Sequence, residues 1–210
     1  LQTVTPATNS ITAAMVGNDL ISGKDALGAT PADTDEFLVS DAGTLKRVDF
    51  SHIKGGNILE ADQFRLSATI SAGTNADITS NLERIDTTGS PKVGTGMSES
   101  SGIFTFPSTG IYLVTVHCVF SSSANDAMHY VNTLYTANNS SYVDGAYAVA
   151  ANKSGSAENQ SGCSSIMIDV TDTSNVKVKF ATVSMGSGTA LSGNTDVNYT
   201  TFTFLRLGDT

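Results

Sequence analysis

The sequence predicts an all-β chain: a β-sandwich or jelly roll over residues 58–210, preceded by a short irregular segment with one β-hairpin over residues 1–57. Three observations carry that prediction. Short runs of alternating apolar and polar residues recur along the chain, separated by clusters of Ser, Thr, Asn and Gly. No stretch has the three-to-four-residue apolar spacing of a convincing amphipathic helix. The abundant Thr and Val suit a pleated surface, while Gly and Asn open tight turns.

Residues 11–21 read as a short strand or one helical turn, and Pro31 breaks the chain. Residues 35–40 and 45–50 flank Asp41-Ala42-Gly43-Thr44, a hairpin signal because Gly43 permits the positive φ of a tight reversal. Large apolar residues here are few, mainly Leu27, Phe37, Leu38, Leu45, Phe50 and Ile53. So thin a core is not expected to fold alone, and copies of itself around a common axis are its simplest partners. The chain divides near Gly55-Gly56-Asn57.

Beyond that point residues 64–70, 102–106, 111–120, 129–136, 164–170, 176–180 and 200–207 read as strands. Two of them differ. Val176-Lys177-Val178-Lys179-Phe180 has one apolar and one charged face, so one side is wet. Residues 111–120 are largely apolar on both faces. Such a strand lies between two layers, the opposite sheet and a neighbouring subunit. Tyr112, Val114 and His117, with Phe202 and Phe204 of the last strand, are therefore expected in an inner sheet at a subunit interface.

Composition excludes several functions. The net charge is −9, which disfavours binding to nucleic-acid phosphates. No apolar run is long enough to insert in a membrane. The first ten residues lack the basic start and apolar core of a signal peptide, and Leu1 is not an initiator Met, which points to a longer chain upstream. No Cys/His spacing suits zinc and no calcium loop is recognisable, so no metal or cofactor is expected. His52, His117 and His129 have no accompanying nucleophile motif, and the acids are scattered over turns. An enzyme is not expected. Alternation places Cys118 and Cys163 on opposite faces of their strands, so both are expected as free thiols.

The order of motifs carries a resemblance. Gly102-Ile103-Phe104-Thr105-Phe106-Pro107-Ser108-Thr109-Gly110-Ile111-Tyr112 resembles the central signature of the complement C-one-q and tumour-necrosis-factor jelly rolls, G-x-F-x-x-P-x-x-G-x-Y. Phe64-Arg65-Leu66-Ser67-Ala68 resembles that family's opening strand, and residues 154–183 its middle hairpin, with Asp172-Thr173-Ser174-Asn175 at the turn. Gly193-Asn194 and Thr201-Phe202-Thr203 resemble its closing pattern, although Phe204 stands where the family usually has Gly. The likeness covers about residues 60–210 and implies a ten-strand-type jelly-roll head and a homotrimer. Residues 18–23 and 35–50 are similar to linker modules of bacteriophage tail fibres. Together the two resemblances imply a virion attachment fibre, tail or capsid. It would be assembled in the host cytoplasm and joined to other virion proteins through its amino-terminal side.

A fibre head would bind through loops carried on a rigid sandwich. The long polar stretches are 121–128, 138–145, 153–160 and 186–198. Within or beside them, Asn125, Asp126, Asn139, Tyr142, Asp144, Tyr147, Asn159 and Asn194 are candidate receptor contacts. Short polar groups hydrogen-bond sugar hydroxyls and a Tyr stacks on a sugar face, so a host-surface glycan fits better than a host protein. The competing reading is a purely structural virion component, such as a capsid-decorating fibre, whose Asn and Asp side chains fill solvated turns.

Overall fold

The computed structural model describes residues 23, 25–53, 58–85 and 88–210. The expected element at 11–21, most of the fibre-like run 18–23 and the Gly55-Gly56-Asn57 division lie outside the described residues. Two compact units are present, Leu1–Asn57 and Ile58–Thr210.

In the first unit β1 (Glu36–Asp41) pairs antiparallel with β2 (Thr44–Asp49). Ala42 and Gly43 both take positive φ, 47° and 85°, as a two-residue hairpin turn with the right twist requires. A 3-10 turn, Phe50–His52, follows, and the Phe50 ring meets Phe37 at 6.0 Å. Every β1 residue is exposed, and Leu38 and Leu45 are 74% and 70% exposed.

The second unit is a sandwich of two antiparallel sheets. The small sheet has the order β10 (Val143–Asn152), β9 (Asp126–Thr136), β12 (Lys177–Val183), β7 (Ile103–Thr105), β6 (Ser98–Ser100). The large sheet runs β4 (Ala68–Ile70), β13 (Thr189–Asn194), β8 (Gly110–Ser122), β14 (Thr201–Gly208), β3 (Ala61–Leu66), β5 (Leu82–Arg84). Along one edge of β8 lies β11 (Glu158–Val170), paired over its whole length. The other edge holds β14 and, at its carboxyl end, β13.

Aromatic rings from both sheets fill the space between them. Phe180 of the small sheet lies 4.2 Å from Phe202 of the large one, and Phe104 meets Phe64 and Phe204 at 5.0 Å each. Phe204, the departure from the family pattern, is a fully buried part of this cluster. The signature run threads the chain from β7 in one sheet to β8 in the other. Its glycines are obligatory: a Cβ on Gly102 (φ +84°) would lie 2.2 Å from the Ile78 carbonyl, and on Gly110 (φ +140°) 2.5 Å from the Gly208 carbonyl. The Tyr112 hydroxyl closes the turn against Ser108 at 2.9 Å.

Two stretches differ from expectation. Residues 143–152 and 189–194, expected within or beside loops, form β10 and β13. Their buried side chains are small or polar (Ala148, Ala150, Asn152, Thr189), apart from Leu191, so the alternation is faint.

Candidate functional site

The outward face of the large sheet is built from rows set by strand register. One row is Met167, Leu113, Leu205 and Ala61; the next is Ser165, Thr115, Thr203 and Gln63; the third is Cys163, His117, Thr201, Arg65 and Glu83. Hydrogen bonds tie the middle row: Thr115 to Ser165 at 2.9 Å, and Gln63 Nε2 donating to Thr203 at 2.7 Å. In the third row Arg65 is buried and meets Glu83 at 3.0 Å. That guanidinium, with the Thr195 hydroxyl, holds the Glu83 carboxyl below the usual carboxylate range. The aliphatic row is open, Met167 being 67% exposed, and Leu207 nearby is exposed too.

This arrangement corrects the expected interface set. Tyr112, Val114, Phe202 and Phe204 do lie in the large sheet, but they point into the sandwich and are fully buried. A strand's side chains alternate, so the outward ones are their odd-numbered neighbours. Of the five expected interface residues only His117 faces outward, its Nδ1 3.2 Å from the Tyr199 carbonyl. Cys118 and Cys163 are free and on opposite faces.

The expected loop contacts also separate. The chain enters the sandwich at Ile58, beside the end of β14, where Arg206 N donates to Glu60 O. The loop 137–142 lies at this end, its Asn139 N donating to Asn175 O of the neighbouring turn. The loops 123–125, 153–157 and 184–188 lie at the far end, as the strand registers require, while 195–200 leaves the large sheet between β13 and β14, beside His117 and Val119 of β8. Asn139 is thus remote from Asn125, Asp126, Asn159 and Asn194.

Most of these candidates are held by hydrogen bonds within the chain. Asn194 Oδ1 accepts from Asp196 and Val197 N–H at 2.7 and 3.0 Å. Asp126 accepts from Gly186 N at 2.9 Å and faces the buried His129 at 3.1 Å. Burial raises the Asp126 carboxyl, but hydrogen bonds from Thr189 and Gly186 and the facing His129 hold it below the ordinary value. Burial outweighs the facing Asp126 at His129 and holds its pKa below the ordinary value. His129 Nε2 has no hydrogen-bond partner among the described residues. Asn159 lines a recess of about 350 Å³ with Ser121, Ser123, Glu158 and Gly188.

The remaining candidates stand on the exposed face of the small sheet. Asp144 Oδ2 accepts from the Tyr147 hydroxyl and Oδ1 from Asn132 Nδ2, both at 2.7 Å. These two donors hold the Asp144 carboxyl below its ordinary value, and the carboxylate in turn raises the Tyr147 phenol. The Tyr147 ring lies 4.8 Å from that of Tyr130. Tyr142 is apart from this group: its hydroxyl is buried and Lys179 Nζ lies 4.4 Å above its ring.

The chain is similar to several solved structures. Murine APRIL shares 11% identity, with 70% of this chain and 98% of that one covered at a TM-score of 0.50. Eiger TNF from S. frugiperda shares 14%, covering 71% and 93% at 0.51. The fold is a tumour-necrosis-factor-type jelly roll. The PRD1 vertex protein is 19% identical over 73% of this chain and all of that one, at a TM-score of 0.42. No protein-family model and no curated protein sequence matches the chain.

Sequence reasoning missed Asn132 and Tyr130. Both sit on β9, and only the β9–β10 register, which pairs Asn132 with Tyr147 and Tyr130 with Val149, brings them to Asp144. Among the described residues no group of three or more His, Cys, Asp and Glu side chains could hold a metal ion. No described helix is long and apolar enough to cross a membrane.

Proposed function

We propose that the jelly-roll unit is the homotrimeric head of a virion fibre and attaches the particle to a host-cell surface. In this reading it is a binding protein rather than an enzyme, and residues 1–57 are a shaft or linker directed towards other virion proteins. The observation that carries the reading is the outward face of the large sheet. Leu113, Leu205 and Met167 form an aliphatic row there, beside the interlocked hydroxyl row of Thr115, Ser165 and Thr203. An antiparallel sheet facing water on one side presents polar residues to it. A sheet that presents aliphatic rows is suited to covering by further copies of itself. Three copies follow from the resemblance of the signature run to trimeric jelly-roll heads, and the virion setting from the fibre-like run at 35–50.

The reading is tested in two steps. Light scattering on the purified chain should give the mass of three copies; a monomer at micromolar concentration contradicts it. The purified chain should also compete with virions for adsorption to host cells. Intact trimers that do not compete point instead to a purely structural, capsid-decorating fibre.

A further inference from the structure

We propose that the exposed face of β9 and β10 carries a binding site for a neutral glycan, formed by Asp144, Tyr147, Asn132 and Tyr130. The proposal rests on the attachment reading and names its receptor chemistry.

In a regular strand Asp144 and Tyr147, three residues apart, would point to opposite faces. Here the register shifts between Asp144 and Ala146, a β-bulge inside a long pairing. The bulge turns Asp144 onto the same face as Tyr147, so that the hydroxyl reaches the carboxylate. Gly145 is the extra residue of the bulge, and it fits closely: a Cβ there would lie 3.1 Å from the Thr133 carbonyl and would push on the tip of Ile166. Bulges that re-aim a side chain are frequent beside functional sites.

A second observation concerns Asn132. It is 5% exposed, and while Nδ2 donates to Asp144, Oδ1 is buried with no hydrogen-bond partner. A buried, half-satisfied amide destabilises the fold where an apolar side chain would not. Its one visible task is to hold the carboxylate. Asp144 is thus fixed by two donors on rigid strands, yet exposed.

A carboxylate has about four acceptor positions, and two are used within the chain. The open ones suit two adjacent hydroxyls, as charge-assisted hydrogen bonds. Beside them the Tyr147 and Tyr130 rings, inclined at 58° with Tyr147 46% exposed, offer an apolar wall for the C–H face of a pyranose. The nearby cation Lys179 is paired with Asp77 at 2.7 Å, and the chain carries a net charge of −9. Acidic sugars are therefore repelled and neutral hexoses favoured.

The test uses the intact chain and methyl glycosides of galactose, glucose and mannose, followed by saturation-transfer NMR and titration. At least one should receive saturation through its C–H face. Asp144→Asn should weaken binding at least tenfold, Tyr147→Ala should abolish it, and Tyr147→Phe, which keeps the ring, should retain part of it. Circular dichroism and trimer mass serve as folding controls. Binding undiminished in Asp144→Asn overturns the site. So does no transfer to any neutral hexose, or binding only to a cationic peptide. Adsorption competition separates the two readings. A chain that binds hexose but does not compete with virions overturns attachment alone; competition unaltered by Asp144→Asn overturns the glycan site alone.

Discussion

Strand β8 sends Tyr112, Val114, Val116, Cys118 and Phe120 to one side and Ile111, Leu113, Thr115, His117 and Val119 to the other. The first set is fully buried, while on the second side Ile111, Leu113, Thr115 and Val119 are half-buried and His117 is exposed. Hydrophobicity alone does not separate the sides, since Leu113 and Val119 are as apolar as Val114 and Val116. What separates them is packing partners. Rings from two sheets interlock around the first side, whereas the second meets its strand neighbours and, at His117, the Tyr199 carbonyl. The difference teaches that apolar side chains on this scaffold are fully buried only where a second sheet packs against them.

The contrast is sharpest under truncation. Tyr112→Ala removes a buried ring 4.7 Å from Phe106 and the hydrogen bond to Ser108, and should destabilise the unit by about 3–5 kcal/mol in urea unfolding. A cost near zero would mean that the core side is no better packed than the outer one. The outward side should behave in the opposite way. Leu113→Asp should leave the circular dichroism spectrum of the jelly-roll unit intact while converting trimer to monomer by light scattering. A variant that stays trimeric would place the interface elsewhere.

The β1–β2 hairpin extends the contrast to a ribbon: among the described residues of the first unit none is fully buried. A lone two-stranded hairpin is marginal in water. A fragment of residues 1–57 should therefore show no cooperative thermal transition and rapid amide exchange, and a sharp transition from the monomeric fragment would break the analogy. The smallest effect is at the thiols. Burial pushes Cys118 up to about 12, so it should stay unmodified by a thiol reagent until the unit unfolds. Cys163 should react in the native chain, more slowly once copies cover its face. Equal rates would mean the two sides of the sheet are alike.

Much of this fold is legible in the residues. Lys177 and Lys179 alternating with Val178 and Phe180 mark a one-sided strand, and Gly102, Pro107 and Gly110 mark the crossing between sheets. Facing is harder to read. Residues 111–120 show two apolar sides, and only the packing of Phe104 and Phe180 against Val116-side neighbours such as Phe202 decides which side is core. The glycan cluster is half legible. Asp144 and Tyr147 are recognisable as polar and aromatic candidates, but local alternation separates them. A bulge at Gly145 and a partner strand supplying Asn132 from twelve residues away unite them, and neither leaves a mark in the linear pattern.

The first and last full-length strands of the sandwich, β3 and β14, lie side by side and antiparallel, with Ala61 opposite Leu205. A peptide fused after Thr210 would consequently emerge beside the point where the chain enters. An affinity tag there leaves the far end and the β9–β10 face unobstructed. Epitopes meant for display belong in 153–157, where the turn between β10 and β11 lies at the opposite end of the unit from Ile58 and Thr210.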